Sequence, residues 1–302
     1  MMKCVLWLNG IMVVDEGKPP IRRGHVLGKL ITASVTHIER LISLGVVYSE
    51  IGRTLGSMGI IRVIDVNSNS GSTCIGKYYL VLPRPDSIGG IHFDGVLANY
   101  PVLPIDSLIP LAEHYALRPE TILYAELSYI HDLTKYVRNK EVLVVGCGPS
   151  SYLVCNHIRD LCNVYVACLS YNNMISKIAE LGVYVANIDN LSKLAYDVVV
   201  FLSISGYFLN RVVKYINNKG LILLPPTIPG DLVSIVNYEL HAKRVKILPL
   251  KYGSIDSGIK AIGKHLDKIK RLISITNDFN DLINNMHYFW RALIHNKHSS
   301  KS

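Results

Sequence analysis

Residues Val142 to Ser151 read VLVVGCGPSS. Four apolar residues suit a buried strand, Gly146 suits a tight turn, and Ser151 to Leu161 carries the period of a helix. Gly148 leaves a bare backbone that a ligand can approach closely, and the helix that follows points free N–H groups at it, which favours an anion. The spacing is that of a dinucleotide fingerprint with Ser151 in the place of its third glycine. Gly146, Gly148, Pro149, Ser150 and Ser151 are therefore candidate cofactor-binding residues. A tight turn with no ligand is the bland alternative.

The second checkpoint for a dinucleotide is an acid at the end of the next strand, about twenty residues on, where it binds the adenine ribose hydroxyls. That strand reads VYVACLSYNN, with no acid at Cys168 or Leu169 and with Ser170 and Tyr171 following. A ribose without a carboxylate partner tolerates a 2′-phosphate, so NADP is expected ahead of NAD, with Ser170 and Tyr171 as further cofactor contacts. No arginine lies nearby to hold that phosphate.

Downstream, short apolar strands alternate with helices: Val164 to Cys168, Asn173 to Leu181, Val183 to Ala186, Asp197 to Leu202, Leu209 to Asn217 and Leu221 to Leu224. Strict alternation with continuous apolar strands predicts an α/β, doubly wound parallel sheet. Upstream the chain is rich in strand patterns and turns. Cys4 to Leu8 and Ile11 to Val14 flank Asn9-Gly10, a hairpin signal. Val26 to Ser34, Gly59 to Val66, Lys77 to Leu82 and Val96 to Leu103 read as strands, and His37 to Leu44 as a short helix. Ala112 to Val137 is largely helical in period, interrupted at Pro119, and Ile259 to Ile273 and Asp278 to His295 are helical too.

The composition, 49% hydrophobic and 18% charged, can build cores of this kind. No apolar run approaches the roughly 20 residues of a spanning helix, and the N-terminal run lacks a basic leader, so a cytoplasmic protein without a membrane partner is expected. The formal charge is +9, but the basic residues are dispersed and not interleaved with aromatics, which argues against a nucleic-acid partner. None of the six cysteines forms a CxxC pair; all are expected to be reduced core residues.

With the β-rich half in front of the nucleotide turn, the chain resembles the medium-chain dehydrogenase/reductase superfamily: the zinc alcohol dehydrogenases and zinc-free quinone reductases. The likeness runs through RGHVLGKLITASVTHIE, LGSMGIIRVIDV, the Gly76 to Val81 strand, Gly95 to Leu108, AELSYIHDLTKY, Asp197 to Leu224 and Asp278 to Leu293. It implies a GroES-like catalytic domain over 1–112, completed by 278–302, and a Rossmann domain over 113–277. It also implies a small-molecule substrate, and a homodimer of the kind the family forms.

The resemblance puts the family's zinc ligands on Thr36, Ser57, Met58 and Tyr129, and none of these supplies a thiolate or imidazole. No zinc is expected. Thr36 and Tyr129 instead become candidate catalytic hydroxyls, each able to donate to a substrate carbonyl as hydride arrives. His37 is placed at the cofactor pyrophosphate, and Thr134 and Ser203 to Ser205 beside the nicotinamide. Pro225 and Pro226 replace the small residues usual after that strand. The expected activity is a zinc-independent, NAD(P)-linked reduction of a carbonyl or activated double bond. Two alternatives stand: a decayed dehydrogenase fold kept as a binding subunit, and an S-adenosylmethionine-dependent methyltransferase, whose first motif VLVVGCGPSS also approximates.

Overall fold

The computed structural model describes residues 2–17, 19–67, 72–84, 86–168, 174–191, 195–203, 206–227, 238–286 and 291–295. By compactness the chain divides into Met1–Ile122 with Ile269–Ser302, and Leu123–Lys268. The resemblance implies these lines at 112/113 and 277/278.

The first unit opens on β1 (Met2–Trp7) and β2 (Ile11–Glu16), an antiparallel hairpin that pairs Trp7 with Ile11. Asn9 takes the left-handed φ of 58° that its turn requires. Then come β3 (His25–Val35), β4 (Met58–Val66), β5 (Tyr78–Val81), β6 (Val102–Pro104) and β7 (Leu108–Leu111). The expected strand at Val96 to Leu103 shrinks to β6. The backbone before it bonds individually to two other segments, with Val5 N–H donating to Leu97 O and Leu97 N–H to Leu55 O. Between the strand-rich half and the parallel sheet, the expected helical stretch with its break at Pro119 is four short helices: Glu113–Ala116, Thr121–Glu126, Tyr129–Asp132 and Thr134–Val137.

The second unit holds β8 (Glu141–Val145), β9 (Asn163–Cys168), β10 (Tyr184–Asn187), β11 (Tyr196–Phe201), β12 (Ile216–Leu224) and β13 (Lys246–Pro249). They form one parallel sheet in the order β10-β9-β8-β11-β12-β13. Strand β13 is not legible in the sequence, because its short apolar segment follows a basic run. Helices Pro149–Ile158, Met174–Ala179, Gly206–Val212 and Tyr238–Ala242 lie between the strands in sequence. Leu143, Val145, Val199, Phe201 and Ile222 on the strands pack with Leu209, Val212, Val213 and Leu240 from the helical segments. Continuous apolar strands need such cover on both faces. The strand order reverses between β8 and β11, which opens a crevice at the carboxyl ends of those two strands.

The chain then returns to the first unit through β14 (Ile273–Thr276) and β15 (Arg291–His295). The period predicts a helix over all of Asp278 to His295; among the described residues of that range the helix is Phe279–Asn285, capped by Asp278. A five-residue run such as RALIH is too short to tell a helix from a strand by period. Here the free side of β3 takes it, pairing Leu293 with Ser34. Ile259 to Ile273 is likewise split: the helix is Ile255–Ile269, and Ile273 begins β14. The finished sheet runs β14-β15-β3-β4-β5-β7, with β6 also on β3, and only β14 with β15 is parallel. No helix of the described residues is long and apolar enough to cross a membrane.

Candidate functional site

In the first unit β3 ends at Val35, and Thr36 caps the helix His37–Ser43. Ser34 of β3 pairs with Met58 of β4, so the residues just beyond, Thr36 and Ser57, come out at the same end of the sheet. They are the two positions the resemblance equates with metal ligands, and their hydroxyls lie 3.2 Å apart. Glu39 joins them. Its Oε2 accepts from Thr36 N–H at 2.6 Å and from the Thr36 hydroxyl at 2.7 Å, and its Oε1 accepts from Ser57 N–H at 2.8 Å. The Thr36 oxygen in turn accepts from Ile38 N–H at 3.0 Å. Thr36 has one hydroxyl proton and Glu39 holds it, so Ser57 is the donor in the Thr36–Ser57 pair. Thr36 and Glu39 are 1% exposed and Ser57 is 0% exposed.

A carboxylate this deeply buried must be met by donors, and these three N–H and O–H groups do that. Arg40, next on the helix, is lowered to about 10 by burial and by the nearby Arg291, while Glu39 pulls the other way. Met58 is fully buried at the start of β4. His37 is half-buried at the first turn of the helix. The donors at the would-be metal position are thus two hydroxyls and an engaged carboxylate, a set that does not fit zinc. Among the described residues no three His, Cys, Asp or Glu side chains are grouped to hold a metal ion. The signal for Glu39 was present in sequence: Thr36-x-x-Glu39 is a capping box.

In the second unit β8 runs into Gly146, whose φ of +118° lies in the region that favours glycine. Gly148 caps the helix Pro149–Ile158, no side chain caps that end, and Pro149 has no N–H to satisfy. A Cβ at Gly148 would meet nothing within 4 Å, so the backbone there is open to close approach. Gly146, Pro149 and Ser150 are partly exposed, whereas Ser151 is buried with Oγ 3.5 Å from a Cβ built at Gly146. Ser151 therefore packs helix against turn, as the third glycine of the fingerprint does. A bare turn with an uncapped ten-residue helix behind it fits a dinucleotide pyrophosphate.

Phe201 of β11 pairs with Val145 of β8, and Leu202 N–H donates to Val145 O at 2.9 Å. Ser203 follows β11, at the same carboxyl end of the sheet as the turn after β8, and is buried. Tyr129 is buried in its short helix, and the Thr134 hydroxyl donates to His131 O at 3.1 Å. Pro225 and Pro226 are buried just after β12. Ser170 and Tyr171, with Ile204 and Ser205, lie outside the described residues.

One expectation is corrected. Cys147 and Cys168 are not reduced core thiols but a disulfide, with Cα atoms 5.3 Å apart. The β8–β9 register sets Gly146 level with Cys168, and the turn brings Cys147, one residue further on, against it. Cys4, Cys74, Cys155 and Cys162 are not disulfide-bonded. Burial pushes the Cys155 thiol up to about 12, which keeps it protonated and inert.

No protein-family model matches the chain, and no curated protein does. Solved structures do. The chain is similar to a short chain alcohol dehydrogenase (rspB) of E. coli CFT073 complexed with NADH, at 18% identity and a TM-score of 0.71, covering 98% of this chain and 99% of that one. It is similar to the zinc dependent alcohol dehydrogenase 2 of Streptococcus pneumonia, at 17% identity and a TM-score of 0.71, over 99% and 100% of the two chains. It is also similar to CAD of Helicobacter pylori complexed with NADP(H), at 14% identity and a TM-score of 0.66, over 99% of each. The chain therefore has the fold of the medium-chain alcohol dehydrogenases along its whole length, a GroES-like β-rich part and a doubly wound Rossmann sheet.

Proposed function

We propose that the chain is a zinc-independent, NADP-preferring oxidoreductase that reduces a carbonyl or an activated double bond. The observation that supports it most is the bare turn at Gly146–Gly148, set at the order reversal of the parallel sheet in front of an uncapped helix. A bound nicotinamide nucleotide supplies the hydride. On this reading the Gly146–Ser151 backbone holds the pyrophosphate, helped by His37, while Thr134 and Ser203 flank the nicotinamide. Ser170 and Tyr171 serve the adenosine end. NADP is preferred to NAD because Cys168 stands where NAD enzymes carry an acid, so a 2′-phosphate meets no fixed negative charge. Thr36 and Tyr129 are the hydroxyls assigned to the substrate oxygen. For Thr36 this requires its O–H to turn from Glu39 Oε2 to the substrate, while the N–H groups of Thr36 and Ser57 keep Glu39 in place. The Thr36–Glu39–Ser57 network supports zinc independence, since it fills the ligand positions with its own hydrogen bonds. The chain is taken to act in the cytoplasm.

The same network favours a second reading, a dehydrogenase fold kept for binding, because its hydroxyl protons are already committed. Thermal unfolding of the full chain with NADPH, NADH and S-adenosylmethionine added singly separates the readings. A ligand at 100 times its dissociation constant stabilises by about 2.7 kcal/mol. NADPH is expected to raise Tm most, and the NADPH-bound chain to oxidise its nucleotide when given carbonyl or activated alkene substrates. A shift with S-adenosylmethionine alone would falsify the oxidoreductase. A shift with NADPH but no turnover on any substrate selects the binding subunit.

A further inference from the structure

The cysteine pair sits on the nucleotide turn itself. Cys147 lies between the two glycines, and Cys168 is the last residue of β9, the position at which dinucleotide folds place the ribose acid. The β8–β9 ladder reaches only as far as Gly146 N–H donating to Ala167 O at 2.9 Å. Beyond that bond the turn leaves the sheet, and the disulfide is the next tie between the two strands. Flanking glycines make an untied turn conformationally costly to order. The two side chains are 6% and 3% exposed, so the sulfurs lie under the turn and not in the path of a ligand.

We propose that the Cys147–Cys168 disulfide is part of the nucleotide site, a covalent strap that holds the phosphate-binding turn on the strand end receiving the adenosine ribose, so that the oxidised chain binds a pyridine dinucleotide more tightly than the dithiol chain. This rests on the nucleotide-binding reading above. The strap removes, before binding, freedom that the turn would otherwise lose on binding. It also puts neutral sulfur where a carboxylate would repel a 2′-phosphate. Redox state thereby sets affinity. Reduction by an added dithiol proceeds by two exchanges. A reagent thiolate attacks one sulfur, the S–S bond breaks and a mixed disulfide forms. The second reagent thiol then displaces the protein sulfur. The products are the two cysteine thiols and the cyclic disulfide of the reagent, two electrons and two protons having passed to the protein.

The test compares the full chain in three forms: oxidised, reduced with dithiol, and Cys147→Ser/Cys168→Ser. Alkylation and mass measurement fix the thiol count of each. NADPH and NADH dissociation constants are measured at a temperature where circular dichroism shows the forms folded; the reduced native chain serves if the double variant does not fold. Affinity for NADPH is expected to fall on the order of tenfold on reduction, within the usual range of coupling between sites. By reciprocity, saturating NADPH makes the disulfide tenfold harder to reduce, which is about 30 mV for a two-electron couple. A staple that serves stability alone lowers Tm but leaves the dissociation constants and the reduction equilibrium unchanged. That result overturns the proposal and leaves the nucleotide reading standing. An oxidised chain found to carry both thiols free also overturns it. If neither nucleotide binds any form, the nucleotide reading fails and the proposal with it.

Discussion

Glu39 shows how much one buried carboxylate can organise. Three donors converge on it, from Thr36 and from Ser57, 21 residues apart in the chain, and they tie the start of a helix to the start of β4. Glu39→Gln keeps the shape but turns one acceptor into an amide donor. If the remaining carbonyl serves Thr36, the NH2 group faces the N–H of Ser57. A buried donor left without an acceptor costs about 1–3 kcal/mol, so the variant is expected to lose about 2 kcal/mol. In urea titrations its midpoint should fall with the slope unchanged. An unchanged midpoint would show that the network is rebuilt around the amide. The capping half of this arrangement is legible in sequence, since Thr36 and Glu39 are three residues apart and cap locally. The Ser57 half is not, because it depends on where β4 starts against β3.

Among the elements, the helix Ile255–Ile269 makes a close approach that its sequence hides. Gly258 lies inside it, and a Cβ there would overlap the backbone carbonyl of Tyr124. Gly253 N–H donates to the Ser128 hydroxyl at 2.9 Å and helps fix the crossing. For an exposed helix position Gly→Ala gains about 1 kcal/mol through propensity. Overpacking against backbone costs about 1–3 kcal/mol, so the two effects oppose and the second is expected to win. Gly258→Ala should lower Tm; a rise would mean that this helix can shift freely. Strands β8 to β12 of the parallel sheet are legible because each is a local apolar run between turn signals. Strand β15 is not, because it becomes a strand only by pairing with β3, far away in sequence. Thr32 and His295, hydrogen-bonded at 2.7 Å, are 263 residues apart.

For the whole molecule, the question the fold raises is metal. Chains of this architecture include the zinc dependent alcohol dehydrogenase to which it is similar. In this chain Thr36, Ser57 and Glu39 are hydrogen-bonded to one another, and the described residues group no three metal-binding side chains. Protein purified without chelators is expected to carry well under one zinc per chain by elemental analysis. Added chelator should leave Tm unchanged, since a bound structural or catalytic ion stabilises by mass action. One tightly held zinc per chain would contradict the proposed zinc independence.

Local chemistry alone determined the alternation of strand and helix, the parallel sheet and the glycine turn, since periodicity, turn residues and apolar runs act within a dozen neighbours. Tertiary structure decided what those pieces mean at the site. Thr36 meets Ser57 and Cys147 meets Cys168, each pair 21 residues apart, only because the β3–β4 and β8–β9 registers bring the ends of those strands side by side. A shift of one residue in either ladder would turn each partner to the opposite face. Register is set by the packing of whole sheets, and no window of sequence around any of these four residues contains it.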